Sequence, residues 1–113
     1  MRAGSLRYLV RVERRKESDN GYGGNADVWE AVERGLRARL VLKRGLERVA
    51  EGLLQGVAEY EATLRLSSRT RTITTAMRLI DEHDGRVFNI TSAEPDERRR
   101  VLLLTMTKGG ADG

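Results

Sequence analysis

The sequence predicts a mainly β protein: a small antiparallel six-stranded β-barrel with one short helix and a long loop after the first strand. Two observations support this fold class. Apolar and polar residues alternate over many short stretches, and turns rich in polar residues or glycine separate those stretches. Closing such a sheet into a barrel removes its exposed edges. A length of 113 residues allows one modest hydrophobic core, so we predict one domain over residues 1–108 and a disordered tail at 109–113.

The first half is predicted to hold two strands, the long loop and the helix. Alternation starts at Leu6 and ends near Glu13, which indicates a half-buried first strand. The segment 16–28 is rich in Gly, Asn and Asp and has no periodicity, so we interpret it as a long flexible loop. A second strand is predicted at 37–43. Residues 45–55 are predicted to form the helix, because apolar residues recur there at helical spacing, namely Leu46, Val49, Ala50, Leu53 and Leu54.

The second half is predicted to hold four strands joined by short turns. The third strand, at 57–66, has the clearest alternation, and its inward residues are Ala58, Tyr60, Ala62, Leu64 and Leu66. The fourth, fifth and sixth strands are predicted at 73–79, 86–92 and 99–107. Gly85 ends the acidic turn before the fifth strand, where glycine tolerates a positive φ.

Composition excludes several classes of function. The chain has no cysteine, which rules out disulfides, cysteine-ligated zinc and thiol catalysis. No apolar run approaches the roughly 20 residues that a membrane-spanning helix needs. The N-terminus lacks the apolar segment and cleavage site of a signal peptide, so we expect synthesis in the cytoplasm. The net charge of +4 is small for a dedicated DNA-binding protein.

The candidate catalytic and metal-binding residues do not form a recognisable site. His83, the only histidine, lies in an acidic turn whose spacing matches no metal-binding loop. Glu59 and Glu61 occupy outward positions of an alternating strand, which accounts for them without acid–base chemistry. The segment NGYGGN lacks the Gly-Lys-Ser/Thr ending of a phosphate-binding loop. We therefore predict no enzymatic activity, no metal and no cofactor.

Several segments, taken in order, resemble one known family. They are the start AGSLRYLVRVERR, the loop NGYGGNADVW that ends in Trp29, the segment RGLERVAEG with Gly45, Glu47 and Ala50, the strand YEATLRL, and the stretch MRLIDEHDGRVFNITSAEPDERRRVLLL. Over about residues 3–107 the chain is similar to the head–tail joining proteins of tailed phages. These are also called head-closure, stopper or head–tail adaptor proteins, and they occur in phage-derived gene transfer particles as well.

The resemblance implies a structural head–tail connector subunit at the neck of a phage or gene transfer particle, assembled in the host cytoplasm. Such subunits form a ring, commonly of twelve copies, beneath the portal or adaptor ring and above the tail terminator or tail tube proteins. The ring lines the channel for packaged double-stranded DNA and provides the platform on which the tail docks. No membrane partner is implied.

From the resemblance and the charge pattern we name two sets of candidate contact residues. The first is the tip of the long loop, expected to reach a neighbouring subunit or the channel: Asp19, Asn20, Gly21, Tyr22, Gly23, Gly24 and Asn25. The second is a set of charges expected at subunit interfaces: Glu59, Glu61, Arg65, Arg78, Arg98, Arg99 and Arg100.

Two alternative functions remain open at this point. A freestanding β-barrel nucleic-acid-binding module would use Arg37, Arg39 and the run Arg98–Arg100, and it would need exposed aromatic side chains for base stacking. The second alternative is an enzyme or metal protein centred on the turn that contains His83.

Overall fold

The computed structural model describes residues 6–16, 28–50 and 53–109, which form a closed antiparallel barrel of six strands. Around the barrel the strands follow the order β1-β2-β3-β6-β5-β4. The predicted fold class, mainly β with a six-stranded antiparallel barrel, is confirmed. The strands are β1 Tyr8–Lys16, β2 Val28–Ala50, β3 Leu53–Arg65, β4 Met77–Asp81, β5 Val87–Asp96 and β6 Val101–Gly109.

Alternation along the strands directs one set of side chains into the barrel and the other set to its surface. Phe88 is fully buried and meets the ring of Tyr60 edge-on, with the ring centroids 4.9 Å apart. Such an aromatic pair adds about 0.5–1.5 kcal/mol to the free energy gained by burial. The rest of the core is aliphatic apart from one methionine: Val10, Val12, Leu36, Ala38, Ala62, Leu64, Ile73, Leu79, Ile90, Leu102, Leu104 and Met106.

The long strand β2 has two different neighbours along its length. Its first half pairs with β1 as far as Ala38, which lies opposite Tyr8. Its second half pairs with β3, and β6 joins the other edge of β3 only from Val57 onward. Residues 47–50 and 53–56 therefore pair only with each other. We call this two-stranded extension of the barrel wall the β2–β3 ribbon.

The helix predicted at 45–55 is wrong, because the described residues of this segment belong to β2 and β3. The apolar residues at helical spacing also lie opposite apolar residues across the ladder, since Val49 faces Leu54 and Ala50 faces Leu53 in the register. Gly45 and Gly52 would each cost a helix about 1 kcal/mol relative to alanine.

Other element boundaries differ from the prediction by a few residues. Lys16 and Val28, the ends of the predicted long loop, are strand residues, and the loop itself, 17–27, lies outside the described residues. Gly109, predicted to be in the tail, is the last residue of β6, and 110–113 lie outside the described residues. Gly85 has the expected positive φ, at 79°.

The fourth strand begins at Met77 rather than at Ile73, because hydroxyl side chains bind the backbone just before it. The Thr70 hydroxyl donates to the carbonyl of Arg65 at 2.7 Å and accepts from the backbone N–H of Ser67 at 2.8 Å. These bonds favour a single 3-10 turn, Thr70–Thr72, over extended backbone. Ile73 is nevertheless buried in the core. Within the described residues no helix is long and apolar enough to cross a membrane.

We expect Phe88→Ala to lower the free energy of unfolding by about 3–5 kcal/mol, because it leaves a cavity at the centre of the barrel. Urea denaturation followed by the fluorescence of the single tryptophan, Trp29, measures this loss. The matched control is Leu42→Ala, which removes a side chain that is 56% exposed and is expected to change stability by about 0.5 kcal/mol or less. If Phe88→Ala does not fold, Phe88→Leu is expected to show a smaller loss. Equal losses for Phe88→Ala and Leu42→Ala would contradict this description of the core.

Candidate interaction surfaces

The outer face of the barrel carries arginine–glutamate pairs that cross neighbouring strands. Arg14 on β1 donates to Glu30 on β2, and Arg44 on β2 donates to Glu59 on β3, each at 2.8 Å. Both pairs are largely exposed, so each contributes only about 0–1 kcal/mol. Glu59 was predicted to be an interface charge, and in the single chain it already has a partner.

A more buried charge network lies on the outer face where β1 meets β4. The carboxylate of Glu13, a residue only 8% exposed, accepts from Arg11 Nε at 2.8 Å and from Arg78 Nε at 2.9 Å. Arg78 is directly opposite Glu13 in the β1–β4 register, and its guanidinium lies 4.1 Å from the ring centroid of Trp29. Arg11 also donates to Glu82 at 3.2 Å. The predicted interface charge Arg78 is therefore engaged within its own chain.

The arginines determine the ionisation of Glu13. Burial alone would raise the pKa of Glu13, because it disfavours the charged form. The hydrogen bonds from Arg11 and Arg78, together with their positive charges, favour the carboxylate more strongly. The pKa of Glu13 consequently lies below its ordinary value of 4.5.

One end of the barrel interior is closed by an ion pair. Asp81 follows Leu79 in the inward row of β4 and is 1% exposed. Its Oδ1 accepts from the backbone N–H of His83 at 2.8 Å, and its Oδ2 accepts from Arg86 Nη2 at 3.0 Å. The Arg86 guanidinium also lies 5.3 Å from the ring centroid of Phe88. Arg86 Nε is 2.7 Å from Asp84 Oδ2 but forms no hydrogen bond, so this contact is an ion pair only.

The carboxylates of the turn around His83 have arginine partners in the part of the chain that the structure describes. Asp81 and Asp84 face Arg86, and Glu82 faces Arg11, so each of these carboxylates has a cationic partner. No group of three or more potential metal ligands occurs among the described residues. The pairing of these carboxylates with Arg86 and Arg11 accounts for the cluster of acidic residues in this turn.

The run Arg98–Arg100 lies in the turn between β5 and β6, because β6 begins at Val101 and not at the predicted residue 99. The three side chains are exposed at the surface of this turn. Asp96 Oδ1 accepts from the backbone N–H of Arg99 at 3.0 Å, and Arg100 adopts a left-handed φ of 56°. These contacts stabilise the turn, so Arg99 and Arg100 are turn residues and not the first residues of the sixth strand.

Four exposed arginines lie together where β1, β2 and β3 are adjacent: Arg7, Arg37, Arg39 and Arg65. We call them the arginine patch. None of the four has a carboxylate within ion-pair distance among the described residues, in contrast to Arg11, Arg78 and Arg86. Arg37 and Arg65 also line a groove of about 610 Å³ whose apolar residues are Leu6 and Leu36. The sequence analysis named Arg37, Arg39 and Arg65 as candidate contact residues but did not name Arg7. The position of Arg7 at the start of an alternating strand was the feature that could have indicated it.

The remaining predicted contact residues divide into three cases. Glu61 is half-buried on β3 without an ion pair among the described residues, and Arg65 belongs to the arginine patch. The predicted loop tip, Asp19–Asn25, lies outside the described residues. Among the described aromatic side chains, the ring of Trp29 lies against Arg78, Tyr60 packs against Phe88, and Tyr8 is half-buried.

We expect Glu13→Gln to lower the free energy of unfolding at pH 7 by about 1–3 kcal/mol, because charge-assisted hydrogen bonds are lost. The folded pKa of Glu13 is below the unfolded one, so its stabilising effect is present above pH 4.5 and is lost as the pH falls through the folded pKa. The difference between wild type and Glu13→Gln should therefore shrink below pH 4.5 in urea titrations at successive pH values. Glu30→Gln, at an exposed pair, is the control and is expected to cost about 0–1 kcal/mol. A difference that does not depend on pH would contradict this account.

Comparisons with known proteins identify the family. The model of the phage head completion protein family matches residues 1–109. A solved chain from the structure described as "Virion of native gene transfer agent (GTA) particle" has a TM-score of 0.70 and 19% sequence identity, and the match covers 90% of this chain and 93% of that chain. At this identity the likeness shows a shared fold. A search of the curated proteins finds no match. Since the family model spans nearly the whole chain, the protein belongs to the phage head completion protein family, whose members are structural proteins of the phage head.

Proposed function

We propose that this protein is a head–tail connector subunit of a phage or gene transfer particle. Copies of the chain form a ring beneath the portal complex, most simply of twelve subunits. The ring lines the channel through which packaged double-stranded DNA passes, and it offers the platform on which the tail docks. Its partners are a portal or adaptor ring above and tail terminator or tail tube proteins below.

The observation that carries this proposal is the β2–β3 ribbon projecting from a closed barrel. Among the described residues, 47–50 and 53–56 pair only with each other, so the outer edges of both strands have no described strand beside them. Unpaired strand edges favour contact with another chain. A ring subunit between two other rings needs an element that extends from the barrel toward its neighbours, and the β2–β3 ribbon is such an element.

The rest of the chain is consistent with a structural role. The interior is a packed core closed at one end by Asp81 and Arg86, which leaves no room there for a substrate. The charges on the outer face are arginines and glutamates, which suit contacts with neighbouring proteins. The segment 19–25 remains a proposed contact loop toward the channel or the adjacent ring.

The test removes the ribbon while keeping the barrel. Leu46 and Val57 lie directly opposite each other, so an Asn-Gly turn in place of residues 47–56 reconnects the two strands. We expect the purified variant to fold with an unfolding midpoint close to that of wild type, because residues 47–50 and 53–56 pair with no other described strand of the barrel. In particle-producing cells that lack the wild-type gene, we expect it to fail to restore DNA-filled, tailed particles in electron micrographs.

The control is Glu51→Asn, which keeps the ribbon at full length and is expected to restore particles as well as wild type does. Tailed, DNA-filled particles produced by the ribbon-less variant would refute the role of the ribbon. Purified particles that lack the wild-type protein altogether would refute the connector function.

A further inference from the structure

The arginine patch stands out because its charges have no partner within the described part of the chain. Arg7, Arg37, Arg39 and Arg65 are all exposed, and none of them forms an ion pair with a carboxylate of the described residues. The arginines on the β1–β4 side of the barrel are different, since Arg11 and Arg78 share the carboxylate of Glu13. The charges at the β1–β4 seam are thus neutralised within the chain, whereas the arginine patch carries positive charge that no described carboxylate pairs with.

Uncompensated negative charge lies on the outer face of β5. The register places Glu94 opposite Leu103, and Asp96 opposite Val101. Glu94 is exposed and forms no ion pair among the described residues. Asp96 has only a weak ionic partner, Arg99, at 3.9 Å. From residue 91 to the end of β5, no β4 residue pairs with its second edge, so this part of the wall is open to a neighbour.

The positive and negative faces lie on opposite sides of the barrel. Arg39 pairs in register with Thr63, Thr63 with Leu103, and Leu103 with Glu94. Arg39 and Glu94 are therefore in one row, separated by three strand-to-strand steps in a barrel of six strands. Three steps correspond to about 14 Å along the wall, which is half of the circuit.

We infer that the arginine patch of one subunit binds the Glu94 and Asp96 face of the next subunit, so that the occupant of the patch is a second copy of this chain. This inference rests on the proposed ring and names the surfaces that would form it. A contact between two different faces on opposite sides is heterologous, and it repeats from subunit to subunit until the ring closes. Arginine suits it, because its planar guanidinium binds carboxylates through two parallel hydrogen bonds.

The contact also has an apolar component. Leu9 is 38% exposed and lies opposite Arg37 in the β1–β2 register, within the arginine patch. Leu103, beside Glu94, is half-buried on the outer face of β6. Contact between these leucines would remove apolar surface from water alongside the ion pairs. A DNA backbone, the other polyanion available in the particle, would leave Glu94 without a partner.

Disulfide cross-linking tests the contact directly, because the natural chain has no cysteine. A chain carrying both Arg39→Cys and Glu94→Cys cannot form the bond within one subunit, since the two positions are half a circuit apart and a disulfide needs Cα atoms within about 7 Å. In oxidised, purified particles we expect a ladder of covalent oligomers on non-reducing gels, which a reductant collapses to monomer. Mixed subunits carrying one substitution each should stop at dimers.

The control combines Glu94→Cys with Arg14→Cys, which places the second thiol at an exposed position outside the arginine patch. We expect no ladder from this pair. Charge exchange gives a second readout: Arg39→Glu alone and Glu94→Arg alone should each lower the yield of DNA-filled particles at least about tenfold. The two substitutions together should restore most of that yield.

The outcomes separate this inference from the proposed function. Particles that contain the double-cysteine protein without any ladder would overturn the inference and leave the connector function standing. Dimers formed by Arg39→Cys alone would overturn it as well, because they indicate a symmetric contact between two patches. A ladder of covalent oligomers that persists after the DNA has been released supports contact between subunits. If the thiol of Arg39→Cys is protected from alkylation only in DNA-filled particles, the arginine patch binds DNA instead.

Discussion

The ladder between β1 and β4 closes the sheet, and the other features of the molecule depend on this closure. It joins residues far apart in the chain, since Glu13 and Arg78 are separated by 65 positions. Ordering so long a connection costs entropy, and without the ladder both strands would present free edges. A largely buried charge network lies on this seam, where Arg11 and Arg78 hold the carboxylate of Glu13 and the ring of Trp29 packs over Arg78. The ion pairs therefore stabilise the contact that distinguishes a barrel from an open sheet.

The closure of the barrel also determines which strands the long strand β2 pairs with along its length. Its first half completes the wall with β1 and its second half does so with β3, so one continuous strand connects two parts of the barrel. From residue 39 onward β3 is the only described neighbour of β2, and beyond Leu46 the partner strand β3 no longer pairs with β6, so the two strands extend from the wall as a ribbon. The outer edges of this ribbon have no neighbour among the described residues. Such a division between barrel and ribbon suits a member of a family of phage head structural proteins.

The net charge is small, but the ion pairs are distributed unevenly around the barrel. Around the β1–β4 seam, arginine and glutamate satisfy each other within the chain. The four residues of the arginine patch and Glu94 on the outer face of β5 have no ion pair among the described residues, and Asp96 has only Arg99, at 3.9 Å. Charges that need a second chain to complete them add specificity to association more than they add stability to the monomer. The same residue type therefore has two roles, and its position around the barrel decides between them.

The sequence by itself determined the class of fold and most of the core. Period-2 alternation is a local property, so residues such as Val10, Leu64 and Leu104 were assignable to strands without knowledge of their neighbours in space. The same local information led to a wrong prediction of a helix at 45–55, because apolar residues at helical spacing can also lie opposite each other in a two-stranded ribbon. Only the pairing of Val49 with Leu54 distinguishes the ribbon from the helix. Which charges are paired was likewise decided by tertiary structure, since Glu13 and Arg78 meet only when the barrel closes. The alternation of inward and outward side chains can be read from neighbouring residues in the sequence. The ion-pair partners across the β1–β4 ladder depend on how strands distant in the sequence align.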